Sequence, residues 1–303
     1  MIKILHITGV GHSGSTLLAT LLAQSPEVAS YGELGQLPKS FVDAPHRCSC
    51  GQLVPDCLYW KDVVNIWKSS LSGLVISEHA EKLRYLQAQC LKSLKSGHDE
   101  PSGNDIACLV EEIDMLYETL CTRENVSCLV DNSKNVGRAA LLAAYSRNNI
   151  RILHLVRDPR GVAWSHRKSR ANKPGMVEGL RKGRSVKNTT KRWVRDNRLV
   201  KKLDTKYKDT VMTLRYEDLI CNTLNSLERI SEFSGMNFQG ASDLLHLNRG
   251  LEAPHMVAGN MSVRMKPITE LALDKSWQAN LKICERLWIV MRAHALMIKF
   301  GYL

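Results

Sequence analysis

The sequence predicts an α/β fold: a three-layer α/β/α sandwich around a central, mostly parallel sheet, with a helical insertion. Three observations carry that expectation. Four short apolar runs are continuous rather than alternating, as strands covered on both faces are. Helical patterns lie between them, and strands alternating with helices argue for parallel pairing. A glycine-rich turn joins the first strand pattern to the first helix pattern, which makes the fold P-loop-NTPase-like.

The elements follow in order. Ile2–Thr8 is the first strand, and Ser15–Gln24 the first helix, stopped by Ser25-Pro26. Residues 60–124 read as the helical insertion. Within it, His79–Leu94 and Asp105–Thr122 carry apolar residues at helical spacing, separated by a loop rich in Ser, Gly and Asp. Val126–Val130 is the next strand, followed by a helix over Val136–Ser146 with Leu141, Leu142 and Tyr145 on one side. Ile150–Val156 is a strand and Gly161–Arg170 its helix. The Gly- and Lys/Arg-rich run Asn172–Lys187 predicts a mobile basic loop, at its widest 170–190. Val211–Tyr216 is the last strand. Asn222 is placed to N-cap the helix Thr223–Ser234, and Gly235 to end it. Ser276–Lys299 predicts one long helix with Trp277, Leu281, Leu287, Trp288 and Met291 packed. No internal repeat is visible, so residues 1–303 are read as a single domain.

Composition narrows the function. Hydrophobic residues make up 44% and charged residues 24% of the 303, which excludes disorder. No stretch reaches the roughly 20 apolar residues of a membrane span. The longest candidate, near Leu287–Phe300, is interrupted by Arg292, His294 and Lys299. The opening Met1-Ile2-Lys3-Ile4-Leu5 runs straight into glycines and reads as a strand rather than a secretory signal, so a cytoplasmic protein is expected. Nine cysteines in a reducing compartment should be mostly thiols. Net charge is +12, and it is local: residues 157–202 hold sixteen Lys/Arg against three Asp/Glu. That segment is either a solvated basic surface or a site for an anionic ligand.

Two motifs point to phosphate. Gly9-Val10-Gly11-His12-Ser13-Gly14-Ser15-Thr16, then Leu17, has the spacing of a Walker A loop with the lysine position held by Ser15. Backbone amides and a helix N-terminus there suit an anion. Without the lysine the loop is poorly equipped for a triphosphate, but it suits the 5′ phosphate of a smaller anhydride. The second motif is Arg157-Asp158-Pro159-Arg160, with Ser165 one turn into the next helix. Arg157 stands at the carboxyl end of a strand, where open α/β sheets bind ligands, and with Ser165 it can hold a second phosphate.

Here the sequence resembles the sulfotransferase family that uses 3′-phosphoadenylyl sulfate (PAPS), in its tyrosylprotein and bacterial or carbohydrate-type branches. That family pairs a P-loop-like 5′-phosphosulfate motif with R-D-P-R-x-x-x-x-S for the 3′-phosphate. Tyr31-Gly32-Glu33-Leu34 resembles the segment bearing the family's catalytic glutamate, and Asp131-Asn132-Ser133-Lys134 the strand end with an active-site lysine. Arg215-Tyr216-Glu217-Asp218-Leu219 resembles the strand end whose tyrosine packs on the nucleotide. Gly259-Asn260, Arg264, Lys266-Pro267 and Trp277 resemble the C-terminal loop that closes over PAPS. One departure is His12, where the family often has Lys or Arg.

The resemblance implies sulfuryl transfer to a hydroxyl, releasing 3′,5′-ADP. Glu33 would take the acceptor proton. Lys134 would bridge the sulfuryl and leaving oxygens, and His12 would add a hydrogen bond. Gly11, Ser13, Gly14, Ser15, Thr16 and Leu17 would hold the leaving phosphate. Arg157, Ser165, Tyr216, Asn260, Arg264 and Lys266 would hold the rest of the donor. No metal is required for this chemistry. A small-molecule, sugar-like or peptide hydroxyl is the expected acceptor, with no nucleic acid partner and no membrane span. Two other readings compete: a P-loop nucleotide kinase or phosphotransferase, against which the absent lysine counts, and a non-enzymatic nucleic-acid-binding module. The basic segment has only Trp164 and Trp193 for stacking on bases, which weakens the second.

One cluster stands apart. His46-Arg47-Cys48-Ser49-Cys50 and Cys57 could ligate zinc, form a disulfide or be plain thiols, and Cys-x-Cys is shorter than the usual zinc knuckle. Cys-rich segments also occur in related bacterial sulfotransferases, so the resemblance implies a structural role.

Overall fold

The computed structural model describes all residues except 44, 72, 172–184, 247–249 and 253. Five parallel strands form one sheet in the order β2-β3-β1-β4-β5. They are β1 (Lys3–Thr8), β2 (Val28–Ser30), β3 (Cys128–Lys134), β4 (Asn149–Val156) and β5 (Val211–Arg215). The N-terminal helices are α1 (Ser15–Leu22), α2 (Leu37–Val42), α3 (Leu58–Ser69), α4 (Ile76–Ser96) and α5 (Asn104–Glu124). Next come α6 (Val136–Tyr145) between β3 and β4, then α7 (Pro159–Ala171) and α8 (Val186–Lys206) between β4 and β5. The last six are α9 (Tyr216–Cys221), α10 (Thr223–Ser234), α11 (Gln239–His246), α12 (Met261–Arg264), α13 (Trp277–Asn280) and α14 (Ile283–Lys299).

Alternation along the strands divides the core into two layers. Ile4, Leu129 and Ile152 face the insertion helices and α6, in one cluster with Trp60, Trp67, Leu109, Tyr117 and Leu141. Leu5, Ile7, Val130, Leu153 and Leu155 face the other way, onto Leu18, Leu22, Leu227 and Phe238. The sheet is covered on both faces, so its strands are continuous apolar runs. A third cluster, around Val156, Val162, Trp193, Ile289 and Met297, fixes α7, α8 and α14 beside the end of β4.

Several expectations need correction. β2 was not anticipated; its three residues are too short to show a pattern. β3 extends to Lys134 because Asp131, Asn132 and Ser133 are polar yet buried. The expected loop at 172–187 lies mostly outside the described residues, but α7 reaches Ala171 and α8 begins at Val186, where Ser185 accepts a capping bond from Asn188 N–H (3.2 Å). Asn222 occupies the N-cap of α10 without making a side-chain cap bond. The long C-terminal helix is two, broken at Leu281 and restarted where the Glu285 carboxylate accepts Lys282 N–H (3.1 Å). Its packed face is Ile289, Ala293 and Met297, whereas Leu287 and Met291 are exposed. Among the described residues no helix is long and apolar enough to cross a membrane.

Candidate active site

The carboxyl ends of β3, β1 and β4 are neighbours, and each carries one of the predicted motifs. After β1 the chain turns through Gly14 at φ +92 and enters α1 at Ser15. Leu18 N–H is the first amide bonded back, to Gly14 O (3.0 Å), which leaves the preceding amides of α1 as outward donors. A Cβ on Gly14 would lie 2.4 Å from Tyr216 Cδ2, so only glycine lets the Tyr216 ring pack on the loop. The Ser13 hydroxyl is buried without a hydrogen-bond partner. Gly11, His12 and Leu17 are half-buried. A cradle of free amides with an orphaned hydroxyl fits an anion.

Beside it, Arg157 leaves β4 and is 6% exposed. Its Nη1 donates to His12 O (3.1 Å) and its Nη2 to Asp274 O (3.3 Å), with the Asp274 carboxylate 3.8 Å away. The guanidinium lies over the Tyr216 ring, 4.5 Å from its centroid. Trp193 Nε1–H donates to Arg157 O (2.9 Å), and Glu217 accepts Asp158 N–H (3.0 Å), so α8 and α9 both fix the strand end. His12 Nδ1 is 3.0 Å from Ser165 Oγ, and its ring packs on His166 at 4.0 Å. His12 therefore stands with Arg157 and Ser165, linking the phosphate loop to α7. Burial raises the Tyr216 phenol above its ordinary value, so it is neutral at pH 7.

On the other side of β1, Lys134 forms an ion pair with Glu33; both side chains are partly buried. Both positions are set by local geometry. β3 inserts one extra residue against β1 between Asp131 and Lys134, a bulge that re-aims the strand end, and Lys134 itself has φ +63. Glu33 follows Gly32, whose φ is +86 and whose Cβ would lie 2.8 Å from Ala258 O. Asn132 N–H donates to Gly32 O (3.2 Å), and Gly35 N–H to Ser133 Oγ (2.9 Å). The two segments are thus stapled on either side of the pair.

Behind the staple is a buried charge network. Asp131 accepts from Arg138 Nε (2.9 Å), Tyr117 OH (2.6 Å), Ser133 N–H (2.9 Å) and the Ser133 hydroxyl. Burial alone would raise its pKa; Arg138 chiefly, then His6 and Ser133, hold it far below the usual carboxylate range. Asp131 is therefore an ionised anchor at neutral pH.

The segment 255–264 crosses in front of these elements. Val257 N–H donates to Tyr31 O (2.9 Å), and Asn260 N–H to Thr16 Oγ1 (3.0 Å). Asn260 also caps α12 through Ser262 N–H (3.1 Å). Arg264 is 4% exposed, donates Nη1 to Met256 O (3.2 Å) and leaves Nε without a partner. Burial pulls its pKa down, opposed by Cys48 and Glu33. Lys266 lies exposed beyond it.

The cysteine cluster is assembled differently from expectation. His46 is not a member: its Nδ1 is 2.8 Å from Ser40 Oγ. Cys48, Cys50 and Cys57 instead converge with His255. All three are unbonded thiols rather than a disulfide. Burial, with Cys50 and Cys57 adjacent, pushes the Cys48 thiol up to about 12.

Sequence reasoning missed Asp274, His166, His255 and the Tyr117–Arg138 backing of Asp131. His166 directly follows Ser165 and was open to the same reading. The others carry no local pattern.

A family model described as the sulfotransferase family matches residues 5–240. No curated protein matches the chain. Among solved structures, the sulfotransferase domain of the Synechococcus PCC 7002 olefin synthase superimposes with a TM-score of 0.55 at 22% identity, covering 97% of this chain and 94% of that one. The sulfotransferase domain of the curacin biosynthetic pathway superimposes with a TM-score of 0.53 at 19% identity, covering 97% and 98%. At these identities the likeness is one of fold.

Proposed function

Since the chain belongs to the sulfotransferase family, we propose that it transfers a sulfuryl group from PAPS to the hydroxyl of an acceptor and releases 3′,5′-ADP. The observation that carries this reading is the order of three donor-rich stations at adjacent strand ends. Arg157 directly follows β4, the phosphate loop follows β1, and Lys134 ends β3. A nucleotide with a 3′-phosphate and a 5′-phosphosulfate presents its anionic groups in that sequence, ending at the transferable group.

The residues divide the work accordingly. Arg157 and Ser165 take the 3′-phosphate, and Tyr216 offers a flat apolar face between the two phosphate stations. The free amides of α1 and the Ser13 hydroxyl stabilise the leaving 5′-phosphate as its charge grows. Lys134 has three N–H donors, so it can keep Glu33 while reaching the sulfuryl and bridging oxygens. Glu33 takes the proton of the attacking hydroxyl. The S–O bond to the 5′-phosphate breaks as the bond to the acceptor oxygen forms, and the electron pair leaves on that phosphate. His12 ties the two phosphate stations together. Asn260 and Arg264 close the donor side, and the exposed Lys266 meets the approaching nucleotide or acceptor. The basic surface favours a small-molecule, sugar-like or peptide hydroxyl that is itself anionic.

Incubation with 35S-labelled PAPS and a panel of alcohols and phenols tests the reading, with label expected in the acceptor. Calorimetry with 3′,5′-ADP, ATP and a single-stranded oligonucleotide separates the alternatives. Preference for 3′,5′-ADP supports sulfuryl transfer; preference for ATP with Mg²⁺, or for the oligonucleotide, overturns it.

A further inference from the structure

The Cys48, Cys50, Cys57 and His255 side chains come from two distant parts of the chain, yet their ligand atoms all lie within 4.8 Å of one another. Cys50 Sγ is 3.6 Å from Cys57 Sγ. His255 Nδ1 is 3.4 Å from Cys57 Sγ and 3.7 Å from Cys48 Sγ. A zinc tetrahedron with Zn–S of about 2.3 Å and Zn–N of about 2.0–2.1 Å has S···S edges of about 3.8 Å and S···N edges of about 3.5 Å. The three separations match those edges. They are far from a disulfide, whose sulfurs lie about 2.05 Å apart.

The surroundings support metal ligation. Residues 47–53 form a tight antiparallel turn, with Arg47 paired to Leu53 and Cys48 N–H donating to Gln52 O (2.7 Å). The His255 ring is held in one plane by stacking on Tyr59, at 4.6 Å between centroids and 4° between planes. Trp60 Nε1–H donates to His255 O (2.7 Å). Cys48 and Cys57 are buried, so the ion would be shielded from water on two sides.

We infer that Cys48, Cys50, Cys57 and His255 form a tetrahedral Cys₃His site for a zinc ion. Four protein ligands leave no open position, so the metal is structural rather than catalytic. It departs from the sequence expectation of no metal, and it stands independently of sulfuryl transfer. Binding releases the thiol protons and joins the turn at 48–57 to the segment at 255–264. Ser49 reinforces the join, donating N–H to Met256 O (3.2 Å) and accepting Met256 N–H (2.8 Å). The metal therefore pins the segment that carries Asn260 to Thr16.

The test is metal content of untagged protein expressed with zinc, measured by plasma mass spectrometry after dialysis. About one zinc per chain is expected. Protein reconstituted with Co²⁺ should show thiolate-to-cobalt charge transfer and the intense visible bands of a tetrahedral ion. Cys50→Ser, at an exposed ligand, should fold and still lose zinc in chelator competition. Changes in a ligand's hydrogen-bond partner alone cost about 10–100-fold in affinity, so losing the ligand should cost at least that. Cys108→Ser, an exposed thiol on α5, is the control and should retain zinc. Folded wild-type protein with less than about 0.1 zinc per chain and no cobalt–thiolate band would overturn the inference. So would a Cys50–Cys57 disulfide trapped by alkylation in wild type, or zinc held equally by wild type and Cys50→Ser.

Discussion

Replacing Arg157 gives the sharpest test of the donor site. Besides its contacts with Asp274 and Tyr216, Arg157→Ala removes two things that bear on the nucleotide. One is the bond from Nη1 to His12 O, which helps order the phosphate loop. The other is a buried guanidinium, which the proposed function assigns to the 3′-phosphate. The first is an ordinary hydrogen bond of about 0.5–1.5 kcal/mol, so it weakens any 5′-phosphorylated nucleotide by about 2–12-fold. The second is charge-assisted, about 1.5–3 kcal/mol, and adds about 10–150-fold for a ligand with a 3′-phosphate. Titration calorimetry of wild type and variant with 3′,5′-ADP and 5′-AMP separates the two, because the ratio of affinities cancels the loop contribution. That ratio should fall by about 10–150-fold in Arg157→Ala. Arg157→Lys keeps the charge but loses the planar fork and its stacking on Tyr216, so it should recover only part. If both nucleotides weaken equally, Arg157 orders the loop and holds no 3′-phosphate, and the assignment of the donor fails.

Other outcomes follow from the same geometry. Glu33→Gln should lower kcat by about 10²–10⁴ with alcohol acceptors, and a nitrophenol, already ionised, should partly rescue it but not Lys134→Ala; full activity of Glu33→Gln with an alcohol would remove Glu33 as the base. Asp131→Ala strands the buried Arg138 charge and should cost about 3–5 kcal/mol in urea unfolding. Because the Asp131 pKa is depressed in the folded state, its contribution is complete above about pH 4 and is lost as pH falls further, so wild type and Asp131→Ala should converge in acid. Omitting Mg²⁺ should leave turnover unchanged, since the Thr16 hydroxyl, placed where Walker loops hold Mg²⁺, is engaged by Asn260 N–H; an absolute Mg²⁺ requirement would favour phosphoryl transfer.

The parts of the site legible in sequence were those written in local patterns. β1 and β4 are continuous apolar runs, and the phosphate loop and Arg157 motif sit directly after them. β3 was only half visible: its last four residues are Asp131, Asn132, Ser133 and Lys134, and the apolar run that marks the strand stops at Val130. They stay in the strand because Arg138, Tyr117 and Gly35 supply partners that only the fold brings near. Leu287 and Met291 failed for the converse reason. Their spacing is helical, but α8 and α7 select the face bearing Ile289, Ala293 and Met297. His255 carried no signal at all, being 198 residues from Cys57.

The bond from Asn260 to Thr16 spans 244 residues. The phosphate loop leaves the ribosome well before the segment that covers it. At about 5–20 residues per second, a ribosome needs about 12–50 s to make the intervening chain. During that interval α1 and its amides lack both Asn260 and the Tyr31–Val257 bond that seats Glu33. The nascent protein therefore has time to build its sheet while its phosphate loop is uncovered. High sequence separation also makes this closure a slow, late event in refolding. Nucleotide-binding competence should lag the return of secondary structure, appearing only when the segment at 255–264 has docked.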